Sequence, residues 1–170
     1  FYLVAVSFNP ELQPGLPALS DISLKWYREL LNERGLFASL RQSLLIASVT
    51  TVASTTLALC AALAYLELGR LRNAWFLLVI LPMFIPGIIQ GLSLSVILNR
   101  WQVMPFWGTV ALGHLLWALP FAFIVILTSM VNVKRSYLLA AADLGASWWQ
   151  RVTHIVLPLI VPGITGGFIF

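Results

Sequence analysis

The chain has 170 residues, of which 60% are hydrophobic and only 9% charged. Soluble domains carry about 25% charged residues, and a water-soluble fold of this size could not bury so much apolar surface, so a soluble enzyme or binding module is excluded. The ten Lys and Arg behind the net charge of +4 are scattered and form no cluster of phosphate-binding size, which excludes nucleic acid as a partner and leaves lipid.

In chain order, "FYLVAVSF" (1–8) is too short to span. It has neither the basic flank nor the small-residue cleavage site of a signal peptide. Phe1 is not a start methionine, and the last run, 155–170, stops while still apolar. A run of that length reaches about 24 Å at ~1.5 Å per residue, short of the ~30 Å hydrocarbon core. The expectation is a single membrane domain truncated at both ends. "LSDISLKWYRELLNERG" (19–35) predicts a short amphipathic helix capped by Ser23, with Leu24, Tyr27, Leu30 and Leu31 on one face. It suits either the outer membrane surface, with Trp26 at headgroup depth, or a partner protein.

Three complete spans follow, at about 39–66, 74–98 and 108–131, each longer than the ~20 apolar residues a spanning helix needs. The first is crowded with Ala, Ser and Thr, a texture that lets helices approach closely in lipid. It holds the single cysteine, Cys60, expected as a small core residue; one cysteine supports neither a disulfide nor a metal set. The second carries Pro82, Pro86, Gly87 and Gly91. Its prolines free carbonyls and allow a kink or an unwound turn, which serves either a transport pathway or helix packing. The third repeats the device at Pro120. His114 is the one ionisable group well inside a span, where it either meets a solute or bonds a neighbouring carbonyl. Proton- or ion-coupled carriers need chains of buried acids or histidines, and a membrane hydrolase needs a nucleophile–base or metal constellation. Neither is visible, so no catalytic or metal-ligating residue is expected, and the energy for any work must come from elsewhere.

Lys and Arg in short loops set orientation. Arg70 and Arg72 lie between the first two spans; Lys134, Arg135 and Arg151 follow the third. These two loops share a side, expected to be cytoplasmic. Arg100, with Trp101, Phe106 and Trp107 around it, is expected outside.

The segment 132–154 is polar and helix-broken. Ser136 is expected to cap a short helix, "YLLAAADL", that Gly145 ends with a left-handed turn. Ser147 and Gln150 form the S-x-x-Q capping box of the next helix. Trp148, Trp149 and Arg151 suit the interface before the chain re-enters lipid. The result is an Ala-rich knob of little side-chain bulk, which suits a groove on another protein or, alternatively, a re-entrant interfacial helix with no partner.

The spacing of this segment resembles the EAA loop of binding-protein-dependent ABC transporter permeases: E-A-A, three residues, G, nine residues, then I-x-L-P. Ala140 and Ala141 fill the alanine positions and Gly145 the glycine, and Ile155, Leu157 and Pro158 close the pattern, with Asp143 inside it. Leu139 stands where the family has glutamate. "SLKWYRELL", "QSLLIASVTT", "LPMFIPGIIQGLSLSVI" and "GHLLWALPFAFIVI" are similar to the spermidine/putrescine permeases, although Gly87 stands where many of them carry an acid. The resemblance implies an all-α, polytopic helical bundle of the type I importer kind, part of a five- or six-span subunit in the bacterial inner membrane. It implies no cofactor in this chain: ATP and Mg would be bound by separate ATPase subunits, docked on Leu139 to Gly145. It further implies a second permease subunit, identical or not, and an extracytoplasmic solute-binding protein. The solute would be of the polyamine type, or iron, sulfate or thiamine as in related permeases. A self-contained carrier or channel would need an inverted repeat or intramembrane polar sites, and a structural scaffold would need no knob.

Overall fold

The computed structural model describes residues 1–13 and 15–169. The chain divides into two compact units, Phe1–Leu44 and Leu45–Phe170. Phe170, the end of the last predicted run, lies outside the described residues.

The first unit contains α1 (Tyr2–Val6) and α2 (Lys25–Asn32). Trp26 is held by its indole, which donates to the Asn9 carbonyl at 2.6 Å. Tyr27 shares a 2.7 Å hydrogen bond with Ser7 and stacks on Phe8 with ring centroids 5.6 Å apart. The helix expected over 19–35 is shorter and differently capped. Leu24 is its N-cap, and the Ser23 hydroxyl accepts from the Lys25 N–H at 3.2 Å, two residues on. That local turn uses up the group expected to cap the helix.

α3 (Arg34–Glu67) is a single 34-residue helix, about 51 Å long at ~1.5 Å per residue. It begins ahead of the predicted span: Gly35 falls in its first turn, where glycine interrupts no formed ladder, and no proline lies between Arg34 and Ser39. Its second half belongs to the second unit. There Ser54, Thr55, Ala58, Ala61 and Ala62 are buried in a row, the small face that brings helix backbones together in lipid. Cys60 points the other way and is exposed, not in the core as expected, because it falls on the helix face opposite the alanines.

A turn at Gly69–Leu71 leads to α4 (Arg72–Ile80), a tight turn at Leu81–Phe84, and α5 (Gly87–Arg100). The predicted single span 74–98 is therefore broken, and its halves meet at 95°. Pro86 is the cause: the residue before a proline is driven from the helical region, and Ile85 is extended at φ −92, ψ 125. Pro86 also has no N–H to offer the Pro82 carbonyl. The Gln90 side chain replaces it, its amide donating to the Pro82 carbonyl and, at 3.2 Å, to that of Ile85.

α6 (Trp107–Val131) runs through Pro120 without a break. Its first turn is closed by Thr109, whose hydroxyl accepts from the Phe106 N–H at 3.1 Å and donates to the Phe106 carbonyl at 2.7 Å. α7 (Arg135–Asp143) is short. α8 (Trp148–Arg151) passes through a π-helical turn at Val152–Val156 into α9 (Leu157–Ile169). The last crossing is thus Trp148–Ile169, 22 residues long, where the sequence suggested a start near 155. Pro158 explains the π turn: it cannot donate to the carbonyl of His154 four residues back, and widening the helix there accommodates the ring.

Among the described residues there is no strand. Three helices are long and apolar enough to cross a membrane, four if the bent pair is one crossing. The all-α expectation holds. The core gathers Ala58 and Ala62 of α3, Ile80 of α4, Phe123 and Ile126 of α6, and Ile160 of α9. α6 and α9 touch through glycine. A Cβ on Gly163 would collide with the Ser129 side chain and lie 3.3 Å from the Val125 carbonyl.

Candidate functional site

Two places gather the residues singled out in the sequence. The first is α7 and the turn after it. The helix begins at Arg135 with Lys134 as N-cap, so Ser136 lies within its first turn and does not cap it. Backbone geometry decides this, since Lys134 is the last extended residue, at φ −62 and ψ 123. It follows that a glutamate at 139 would stand too far along the helix to complete a capping box. The other end is as expected. Gly145 has φ +82. Its N–H donates to the Ala142 carbonyl and the Ala146 N–H to the Ala141 carbonyl, each at 2.9 Å. These paired bonds close the helix as a Schellman motif, which needs a left-handed residue where Gly145 stands. The box that starts α8 is also present: Ser147 Oγ accepts from the Gln150 N–H at 3.3 Å, and Gln150 Oε1 accepts from the Ser147 N–H at 2.7 Å.

α7 has two sides. Leu138 and Ala141 are half-buried, and Leu138 packs against the core. Leu139, Ala140, Asp143 and Leu144 are exposed, with Leu139 at 52% and Leu144 at 89%. The two adjacent alanines therefore differ in exposure, as neighbours about 100° apart on a helix can. Ile155, Leu157 and Pro158 lie in the helix that leaves the knob. Ile155 and Leu157 are half-buried, and Leu157 packs against the core.

The second place is a cavity of about 1010 Å³ between α5, α6 and their connector. Gly87, Gly91 and His114 line it, as do Gln90, Asn99 and Trp117. Pro82 and Pro86 do not line it, and neither does Pro120, which is fully buried within α6. The residues singled out for a pathway thus separate into two groups. His114 is exposed to the cavity and, among the described residues, bonds no neighbouring carbonyl. The sequence reading missed Gln90, Asn99 and Trp117. Gly87, Gly91, Leu94 and Leu98 line the cavity at helical spacing, and that period was the signal that could have found the face.

Residues 41–170 match the family described as binding-protein-dependent transport system inner membrane component. The chain belongs to this family. The matched region contains both the knob and the cavity, and the multi-pass membrane architecture accords with it. Among curated relatives, the chain is similar to the putrescine transport system permease protein PotI of Escherichia coli K12, 30% identical over 175 residues, which cover 98% of this chain and 62% of that protein. The spermidine/putrescine transport system permease protein PotC of the same organism is 28% identical over 147 residues, 85% of this chain and 55% of the relative. PotC of Haemophilus influenzae is 29% identical over 169 residues, 98% of this chain and 65% of the relative. The chain therefore spans between 55% and 65% of the length of these relatives.

Proposed function

We propose that this chain forms part of the solute pathway of an ATP-driven ABC importer and couples to a separate ATPase through α7. The observation that carries the reading is the form of α7 itself: a short helix between two membrane segments, fixed on its inner side by Leu138 and ended by a left-handed Gly145, with Leu139, Ala140, Asp143 and Leu144 free on its outer side. In this reading ATP and Mg are bound by the partner ATPase, and this chain does no covalent chemistry. A second permease subunit completes the pathway, and an extracytoplasmic binding protein delivers the solute. Closure of the ATPases displaces α7, and rigid-body rocking of the bundle alternates access. The names of the relatives favour a polyamine as solute.

The cavity between α5 and α6 is this chain's share of the pathway. A Cβ on Gly91 would meet no heavy atom within 4 Å, so a larger side chain there enters the cavity without disturbing the fold. Gly91→Leu is expected to insert and purify normally while solute uptake into vesicles falls by roughly tenfold or more, equivalent to at least 1.36 kcal/mol on the barrier. Wild-type uptake in that variant would remove the cavity from the pathway.

In this reading Arg70, Lys134 and Arg151 face the cytoplasm and Arg100 faces outside, an orientation supported by the Lys and Arg of the short loops. In a Cys60-free background, an impermeant thiol reagent added to intact cells is expected to label a cysteine at 100 quickly and one at 134 hardly at all. A cysteine at 70 decides the form of the bent pair α4–α5: protection at 70 with labelling at 100 makes it a broken crossing, and labelling at both makes it a re-entrant loop. Because α6 separates 100 from 134 in either case, labelling at 134 and not at 100 would overturn the orientation.

A further inference from the structure

Glu67 closes α3 and Trp148 opens α8. The Trp148 indole donates to Glu67 Oε1 at 2.9 Å, joining residues 81 apart in sequence. Trp148 follows Ser147 directly, and the Ser147–Gln150 capping box fixes its backbone. On the other side of Ser147, the Gly145 turn leads straight back to α7. The bond therefore ties the end of the proposed coupling helix to the end of a membrane helix.

Beside the bond is a gap of about 50 Å³, bordered by Leu63 and Leu66 of α3, Leu138 of α7, and the polar pair Glu67 and Arg151. Arg151 Nε is buried there and has no hydrogen-bond partner, and among the described residues no ion pair joins Arg151 to Glu67. A buried donor left unpaired is costly and rare, and here a carboxylate borders the same gap. Trp148 and Arg151 stand three residues apart, so they are neighbours on one face of the helix. A modest rotation of α8 exchanges one for the other opposite Glu67. The π turn that follows α8 is a place where a helix absorbs such a change.

We propose that Glu67 is a two-position latch: it holds Trp148 in the arrangement seen here and takes the Arg151 guanidinium when the ATPase displaces α7. The latch rests on the reading of α7 as the coupling element. It gives that movement two discrete end points, as a bistable element requires. Glu67, Trp148 and Arg151 are positioning residues in this scheme and touch no solute.

The test uses the assembled transporter in proteoliposomes, with ATP hydrolysis measured with and without solute. Trp148→Phe keeps a ring but loses the donor, favours the Arg151-paired position, and is expected to raise solute-free hydrolysis about threefold or more, as loss of a charge-assisted hydrogen bond allows. Arg151→Gln removes the guanidinium, and Glu67→Gln keeps an acceptor for the indole but not the charge. Both are expected to lower solute-stimulated hydrolysis by a similar factor. In a Glu67→Ala background, further changes at 148 and 151 are expected to add nothing. Shifts in the same direction at 148 and 151, or undiminished effects without Glu67, overturn the latch. If Trp148→Phe does not insert, wild-type behaviour of Glu67→Gln and Arg151→Gln overturns it equally. Gly145→Val, assayed alongside, separates the two claims. Uncoupling there together with a failed latch test removes the latch alone, and normal coupling there removes the reading of α7 and the latch with it.

Discussion

Replacing Gly145 with valine is expected to leave a stable, membrane-inserted subunit that either fails to hold its ATPase or lets it hydrolyse ATP without transport. The cause is confined to the backbone. Gly145 sits at φ +82, and a Cβ built there meets no heavy atom within 4 Å, so the substitution creates no collision. What it brings is the left-handed penalty of an L-residue, on the order of 1–2 kcal/mol and heavier for a β-branched side chain. The cheapest relief is to release the bonds from Gly145 to Ala142 and from Ala146 to Ala141. That frays the end of α7 and turns its exposed face away from the partner. No membrane crossing uses this turn, so insertion survives. Gly145→Asn is the graded control: asparagine visits the left-handed region at little cost and should retain most of the coupling. The assay is ATPase retention on the purified permease, with solute uptake in vesicles. Leu139→Glu belongs in the same series. Because Lys134 is the N-cap of α7, a glutamate at 139 leaves the capping unchanged and reports on docking alone. Tighter ATPase retention means that the glutamate of the family pattern was a docking contact. Weaker retention means that Leu139 fills an apolar pocket. Normal retention and uptake in the valine variant would remove α7 from the coupling path.

The elements legible in the sequence are those governed by length or by a single obligatory conformation. The crossings at α3 and α6 announce themselves as apolar runs longer than the hydrocarbon core is thick. Gly145 is legible because a helix ending in a Schellman motif requires a left-handed residue, and the S-x-x-Q box because two side chains three apart satisfy each other's backbone. Proline was legible as a perturbation but not in its outcome. Pro86 breaks its segment by 95°, Pro120 is carried inside an unbroken α6, and Pro158 widens its helix into a π turn. The difference depends on what packs around each ring and on whether a side chain such as Gln90 takes the freed carbonyl. Local sequence also misassigned the start of α7, because serine is the better cap by propensity while the chain leaves its extended conformation two residues earlier, at Lys134. The bond from Trp148 to Glu67 had no signal at all, since contacts across 81 residues follow from the packing of the whole bundle. The seam between α6 and α9 was readable and passed over: Gly163 and Gly167 stand in G-x-x-x-G spacing within the last apolar run.

At that seam the largest effect on stability is expected. Gly163 is buried, and even the first carbon of a side chain there would overlap Ser129 and approach the Val125 carbonyl to 3.3 Å. The overlap reaches Ser129 Cβ, at 2.5 Å, so rotating the hydroxyl cannot relieve it and the helices must part. In lipid no hydrophobic drive restores the contact, because the association of spans depends on close packing itself. Overpacking a tight site costs about 1–3 kcal/mol, and the displaced residues here include Ile160 and Ile126 of the central core. Gly163→Leu is therefore expected to yield little monodisperse subunit in detergent, and Gly163→Ala a folded one with a clearly lowered unfolding midpoint. Gly167→Ala is the internal control: its Cβ would lie 3.5 Å from Ile126 and 3.6 Å from Ala122, ordinary contact distances, and it should unfold with the wild type. Ser129→Gly is expected to restore Gly163→Ala, because it removes the atom in the way, whereas Ser129→Ala leaves that carbon in place and should restore nothing. Equal midpoints for Gly163→Ala and Gly167→Ala would mean that the two helices separate freely at this seam. The rigid α6–α9 unit, on which both the knob and the cavity depend for their positions, would then have to be abandoned.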